Sequence, residues 1–191
     1  MQACRLSAHE LACQRGERLL FRGLSFDLAP GEALQVAGAN GTGKTSLIRI
    51  CAGLLRPYGG TVCTVGPVGL VDERPALDPH QPLGKALAFW RRIDCSAAPI
   101  DRLGLDGLLD VPVRYLSTGQ KKRAALARLL GQAAPVWLLD EPLNGLDKVA
   151  VVLVENLIAE HCASGGVALI ASHQAIALPA ARRIELADYA A

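Results

Sequence analysis

Gly38-Ala39-Asn40-Gly41-Thr42-Gly43-Lys44-Thr45 constrains this chain more than any other stretch. Glycines at this spacing let the backbone curl until consecutive N–H groups point at one spot, a geometry that suits phosphate oxygens. Residues 33–37 (ALQVA) precede it as a strand, and Ser46-Leu47-Ile48-Arg49-Ile50 follows as a helix. The positive end of that helix, starting near Gly43, adds to the cradle. In this setting Lys44 can bridge the β- and γ-phosphates of a nucleotide, and the Thr45 hydroxyl can bind Mg²⁺.

The strand–loop–helix unit recurs along the chain. Residues 61–66 (TVCTVG), 136–140 (VWLLD), 167–172 (VALIAS) and 183–187 (RIELA) read as strands, while 43–54, 149–162 and the run after Ser117 read as helices. Strands alternating with helices over short connections predict an α/β fold with a mainly parallel sheet flanked by helices. Phe21, Leu24, Phe26 and Leu28 before Pro30-Gly31 predict a strand pair ending in a turn, an N-terminal antiparallel part. The 191 residues fit one domain, with a core at about 1–71 and 132–191 and a small helical subdomain inserted at about 72–131.

Val136-Trp137-Leu138-Leu139 is an apolar strand that ends in Asp140-Glu141. A buried strand delivers Asp140 to the sheet edge, where it can hold Mg²⁺ through water, and Glu141 beside it can polarise an attacking water. Two acids after a strand also describe an ordinary solvated strand end, and the phosphate loop decides for the chemical reading.

Composition narrows the classes. A net charge of only +2 provides no field to draw in nucleic acid. Every apolar run breaks before the ~20 residues a membrane helix needs. The N-terminal stretch has no apolar core followed by a cleavage site, so a cytoplasmic location is expected. The six cysteines form no CxxC or CxxCH pair and read as reduced thiols.

Leu116-Ser117-Thr118-Gly119-Gln120 ahead of Asp140-Glu141 resembles the LSGGQ signature of ABC ATPases, with Thr118 in place of the first glycine. The same Ser117 and Gln120 would serve equally as an ordinary helix N-cap. The run that follows, Lys121-Lys122-Arg123-Ala124-Ala125-Leu126-Ala127-Arg128, favours the family. Asn144-Gly145-Leu146-Asp147 looks like the D-loop, which in this family touches the opposite subunit. His173, just after a strand, matches the histidine that contacts the γ-phosphate. The resemblance implies a P-loop NTPase of ABC type. Gly38, Ala39, Asn40, Gly41, Thr42, Gly43, Lys44, Thr45 and Ser46 would hold ATP, and Thr45 and Asp140 would hold Mg²⁺. Lys44, Glu141 and His173 would be catalytic. Ser117, Thr118, Gly119, Gln120 and Asp147 would complete the site from a second copy, in a head-to-tail homodimer with ATP sandwiched between the copies. Two positions depart from the family pattern. Arg15 stands where an aromatic usually stacks on adenine, a task a guanidinium can also perform. Glu73 stands near the usual glutamine of the Q-loop, and its carboxylate can bind metal or water.

Residues 11–26 (LACQRGERLLFRGLSF), Arg56-Pro57, the 129–139 stretch with Pro135-Val136-Trp137, and Ser172-His173-Gln174 are similar to the CcmA family of the cytochrome c maturation, or haem export, system. The likeness spans nearly the whole chain. It implies integral membrane partners like CcmB and CcmC, a periplasmic haem chaperone like CcmE, and a peripheral position on the cytoplasmic face of the inner membrane. ATP hydrolysis would then drive haem export or release of the haem-loaded chaperone. None of His9, His80, His161 or His173 is assigned to haem. Gly84-Lys85-Ala86-Leu87 replaces the acidic, asparagine-containing helix start usual in the family, so contacts with the membrane subunit are expected to differ. The alternatives are the ATPase of another small exporter, with the same catalytic residues, and a soluble ABC protein acting on DNA or ribosomes. The latter class usually carries a tandem ATPase domain, a coiled-coil insertion or basic arms, and none is found here.

Overall fold

The computed structural model describes residues 4–94, 99–178 and 180–190. Two sheets share the work. β1 (Arg5–Arg15) and β2 (Arg18–Leu28) form an antiparallel hairpin, and β4 (Gly59–Val65) joins the other edge of β1, giving the order β2-β1-β4. The second sheet is parallel, in the order β5-β6-β7-β3-β8. Its strands are β3 (Ala33–Ala37), β5 (Val68–Val71), β6 (Val136–Asp140), β7 (Val167–Ala171) and β8 (Arg182–Glu185).

Every residue of β3, β6 and β7 is buried, as expected of parallel strands covered on both faces. The period-two pleat then sorts their side chains into two cores. Leu34, Val36, Val136, Leu138, Val167 and Leu169 pack with α1 (Lys44–Cys51) and with the inner face of the antiparallel sheet, including Leu6, Leu11, Phe21 and Leu24. Trp137, Leu139, Ala168 and Ile170 pack on the other side with α3 (Thr118–Gln132) and α4 (Lys148–Ala163). The helices between β5 and β6 are α2 (Leu83–Asp94) and α3, joined by short 3-10 turns and pinned by Arg128, whose guanidinium lies 3.7 Å over the Trp90 ring.

The expected order of elements is present, with local differences. α1 starts at Lys44, with Gly43 as its N-cap, and stops at Cys51 instead of reaching residue 54. Gly43 holds φ at 110°, a left-handed value that L side chains rarely adopt, and a Cβ there would lie 3.1 Å from the Phe21 ring. The strand expected at 183–187 ends at Glu185, because Leu186 turns into a 3-10 segment and buries itself beside the antiparallel sheet. The described cysteines, Cys4, Cys13, Cys51, Cys63 and Cys162, are all free; Cys95 lies outside the described residues. Burial in the α1 core pushes the Cys51 thiol up to about 12, which removes it from thiolate chemistry.

Candidate functional site

In the order β6-β7-β3, three neighbouring strands deliver three loops to one edge of the sheet. The glycine loop follows β3, Glu141 follows β6, and His173 comes two residues after the end of β7. Open α/β sheets bind ligands at the carboxyl ends of their strands, where helix N-termini and loop N–H groups are free. Here a cavity of about 380 Å³ opens at that edge, lined by Leu20, Asn40, Gly41, Lys44, Glu73 and Glu141 among others.

Lys44 is only 5% exposed. Its Nζ donates to the carbonyls of Gly38 (2.7 Å) and Ala39 (3.1 Å) and lies 3.4 Å from Glu141 Oε1. The other Glu141 oxygen, Oε2, is 2.9 Å from Nδ1 of His173 and accepts a longer contact from the His173 N–H. The expected catalytic trio is therefore in one contact chain, with the carboxylate in the middle. The Glu141 backbone has φ of 47°, an unusual value for a side-chain-bearing residue, held by its N–H donating to Ala171 O at 2.8 Å. Strain of this kind, of order 1–3 kcal/mol, persists where the surroundings over-determine it, and often at functional sites.

The His173 loop is braced by Gln35, Ser172 and Gln174, to which the sequence alone assigns no chemistry, and by Asn144 of the 144–147 loop. Gln174 N–H donates to Ser172 Oγ, the Gln174 carbonyl accepts from buried Gln35 at 2.7 Å, and Gln174 Nε2 donates to Asn144 Oδ1. Leu20 and Asn144 both line the phosphate-loop cavity. Leu20 alternates with buried Phe21 on β2, which is the only sequence signal that could have found it.

Asp140 is 1% exposed and its Oδ1 has no hydrogen-bond partner. Burial raises its pKa from the ordinary carboxylate value, against hydrogen bonding from Thr45, which lowers it. A buried carboxylate oxygen left unpaired beside a threonine hydroxyl fits a hard divalent cation with oxygen ligands. Glu73 lines the same cavity. Among the described residues no group of three or more His, Cys, Asp or Glu converges on one point, so a cation here would complete its shell with water and phosphate oxygens.

Other expected site residues lie elsewhere. Arg15 is exposed at the end of β1, paired with Arg18 across the hairpin, and does not line the phosphate-loop cavity. Ser117 caps α3: its side chain accepts from Gln120 N–H (3.2 Å) while Gln120 Oε1 accepts from Ser117 N–H (2.8 Å). Gly119 packs so closely on the next loop that a Cβ would fall 2.6 Å from the Gly145 carbonyl. Asp147 caps α4, accepting from Ala150 N–H at 2.8 Å. Thr118 lines a neighbouring cavity of about 370 Å³ with Asp72, Glu73, Lys122 and Glu141. Within one chain, Ser117, Gly119, Gln120 and Asp147 thus line neither of these two cavities.

Residues 21–144 match the ABC transporter family. In fold the chain is similar to a putative ABC transporter ATP-binding protein from Pyrococcus furiosus, with a TM-score of 0.81 at 19% identity over 98% of this chain and 100% of that one. It is also similar to the inward-facing form of a putative metal-chelate type ABC transporter, with a TM-score of 0.76 at 24% identity over 90% of this chain and 74% of that one. The class is thus an ABC-type, ATP-hydrolysing subunit. Closer in sequence is the cytochrome c biogenesis ATP-binding export protein CcmA of Novosphingobium aromaticivorans, 57% identical over 189 residues that make up 99% of each chain. The protein of the same name from Sphingopyxis alaskensis is 49% identical over 91% of this chain and 92% of that one. The chain belongs to the ABC transporter family and, within it, to the CcmA family.

Proposed function

We propose that this chain is the ATP-hydrolysing subunit of a membrane complex for cytochrome c maturation, powering haem export or release of a haem-loaded periplasmic chaperone. The observation that carries the reading is the Lys44–Glu141–His173 contact chain at the carboxyl edge of β3, β6 and β7, in a chain 57% identical to a CcmA over its whole length.

Residues 38–46 cradle the phosphates of ATP through backbone N–H groups and the Thr45 and Ser46 hydroxyls. Lys44 exchanges its contacts with Gly38 O, Ala39 O and Glu141 for phosphate oxygens. Glu141, released from Lys44, orients the attacking water and accepts its proton, and His173 contacts the γ-phosphate. Thr45 and Asp140, with Glu73 lining the same cavity, would hold Mg²⁺, and the cation would supply neutralisation of phosphate charge. The Ser117–Gln120 signature and the 144–147 loop close over the nucleotide of a second copy, so two chains in head-to-tail arrangement share two ATP molecules. That arrangement accounts for the signature lining no phosphate site within its own chain. Arg15 is assigned to the adenine side.

No helix among the described residues is long and apolar enough to cross a membrane. We assign the span to integral partners like CcmB and CcmC, with this chain peripheral on the cytoplasmic face and no nucleic acid involved. The helical segment at 72–131 is the subdomain that meets them. Its α2 presents half-exposed Phe89 and Ile93 beside Lys85 and Arg92, an apolar-and-basic face in place of an acidic one. Affinity isolation of the chain from membranes, with mass spectrometry and a haem stain, tests the reading. Recovery of CcmB- and CcmC-like proteins, with a haem-bearing chaperone retained by Glu141→Gln, is expected. An unrelated permease without haem would keep the ATPase and remove the haem role.

A further inference from the structure

Lys122 is a second buried ammonium at the site, and no part of the hydrolysis described above uses it. It lies on α3, two residues beyond the Ser117–Gln120 cap, and is 8% exposed. Its Nζ points across to β6, 3.5 Å from the carbonyl oxygen of Asp140. It lines the 370 Å³ cavity in company with Asp72, Glu73, Glu141 and Asn144. Burial lowers its pKa, while the carboxylates of Asp140, Glu73, Asp72 and Glu141 raise it, in that order. The row of acids at this edge therefore has two buried cations, Lys44 on the phosphate side and Lys122 on the α3 side.

The two cations differ in what nucleotide does to them. Lys44 is held by carbonyls of the phosphate loop itself, and phosphates compete for it directly. Lys122 is anchored on α3 behind the end of β6, away from the phosphate loop. When ATP draws Lys44 off Glu141, like charges at Asp140, Glu141 and Glu73 would repel one another and the phosphates, unless a second cation remained.

We propose that Lys122 is a positioning residue for hydrolysis, its ammonium holding Glu73 and the Asp140–Glu141 end of β6 in place while Lys44 is engaged with phosphate. This rests on the ATPase reading and adds a residue to it. Because Lys122 belongs to the same helix as the signature, it also ties the nucleotide-proximal Glu73 segment to the element that faces the second copy.

Steady-state ATP hydrolysis by the full chain tests this, using Lys122→Met, Lys122→Arg, Lys122→Gln, Glu73→Gln and the double variant Glu73→Gln/Lys122→Gln. Lys122→Met should lower kcat about tenfold or more with KM for ATP within about twofold, because the phosphate cradle is untouched. Lys122→Arg, which keeps the charge, should recover most of that loss. The double variant replaces the charge pair by two amides, and its loss should be smaller than the product of the losses in Lys122→Gln and Glu73→Gln, each measured alone. It also keeps the test open if Lys122→Met fails to fold. A Lys122→Met kcat within about twofold of the parent, Lys122→Arg no better than Lys122→Met, or a double variant as impaired as the product, would each overturn the proposal. A parent chain that hydrolyses no ATP would instead defeat the ATPase reading itself, and this inference with it.

Discussion

The two ends of β6 make opposite uses of one strand. At the amino end, Trp137 stacks on His161 of α4 at 3.8 Å and 8° and borders a cavity of about 560 Å³, larger than either cavity at the other end. Yet its other lining residues are mainly small or apolar, Ala133, Ala134, Pro135, Gly165 and Gly166 among them, and the acid on its wall, Glu160, pairs with Arg102. At the carboxyl end the cavities are smaller, but Lys44, Lys122, Asp140 and Glu141 are all buried, Lys44 against the Glu141 carboxylate and Lys122 against the Asp140 carbonyl, and Glu141 carries a left-handed backbone. Size is a poor guide to function here. Buried charge is costly unless paired, so its concentration at one end marks where the chain is organised around chemistry. The amino end is organised around packing.

Breaking the carboxyl end should have the largest effects, and they should fall on ATP. Lys44→Ala removes the ammonium that the phosphates would engage, and titration with ATP should show affinity lower by about 100-fold or more. Glu141→Gln keeps the shape and loses the base. Hydrolysis should fall by about 100-fold or more while ATP is still bound, and the closed dimer should accumulate on a sizing column. A Glu141→Gln protein that turns over normally would remove Glu141 from its catalytic role.

Breaking the amino end should do the reverse. His161→Ala deletes the ring stacked on Trp137 and should lower stability by about 1–3 kcal/mol in denaturant unfolding, with ATP hydrolysis unchanged at temperatures where the protein is folded. A loss of hydrolysis larger than the loss of folded protein would join the two ends after all. The smallest effect is on pH. Burial lowers the His161 pKa below its ordinary 6.5, outweighing its contacts with the Val167 and Pro135 carbonyls. A histidine with a depressed folded pKa contributes stability above its unfolded pKa and loses it as pH falls through the folded one. Unfolding midpoints should therefore drop as pH goes from about 7 to about 5, and His161→Phe, which keeps a ring on Trp137, should flatten that slope.

Much of this was readable from local patterns. The glycine loop with its flanking strand and helix, the apolar strand ending in Asp140-Glu141, and His173 after β7 all depend on residues close in sequence, and local physics suffices for them. Strand β5 escaped notice because Val68-Gly69-Leu70-Val71 is short and interrupted by glycine. Leu186 looked like strand because its apolar character is the same whether it extends a sheet or turns into a core. Lys122 drew no role of its own, since nothing in Lys121-Lys122-Arg123 marks which of the three is buried.

By itself, then, the sequence determined the class of fold, the glycine loop between strand and helix, and the identity of the acids and the histidine near it, because each is encoded by spacing along the chain. Tertiary structure alone decided the strand order β6-β7-β3 that sets Lys44, Glu141 and His173 in one contact chain. It also decided that Ser117, Gly119 and Gln120 line neither cavity at this edge within their own chain, and that Lys122 points inward to the Asp140 carbonyl at the end of β6. The reason is that these relations join residues far apart in sequence, and only packing the apolar faces of the parallel sheet brings them together.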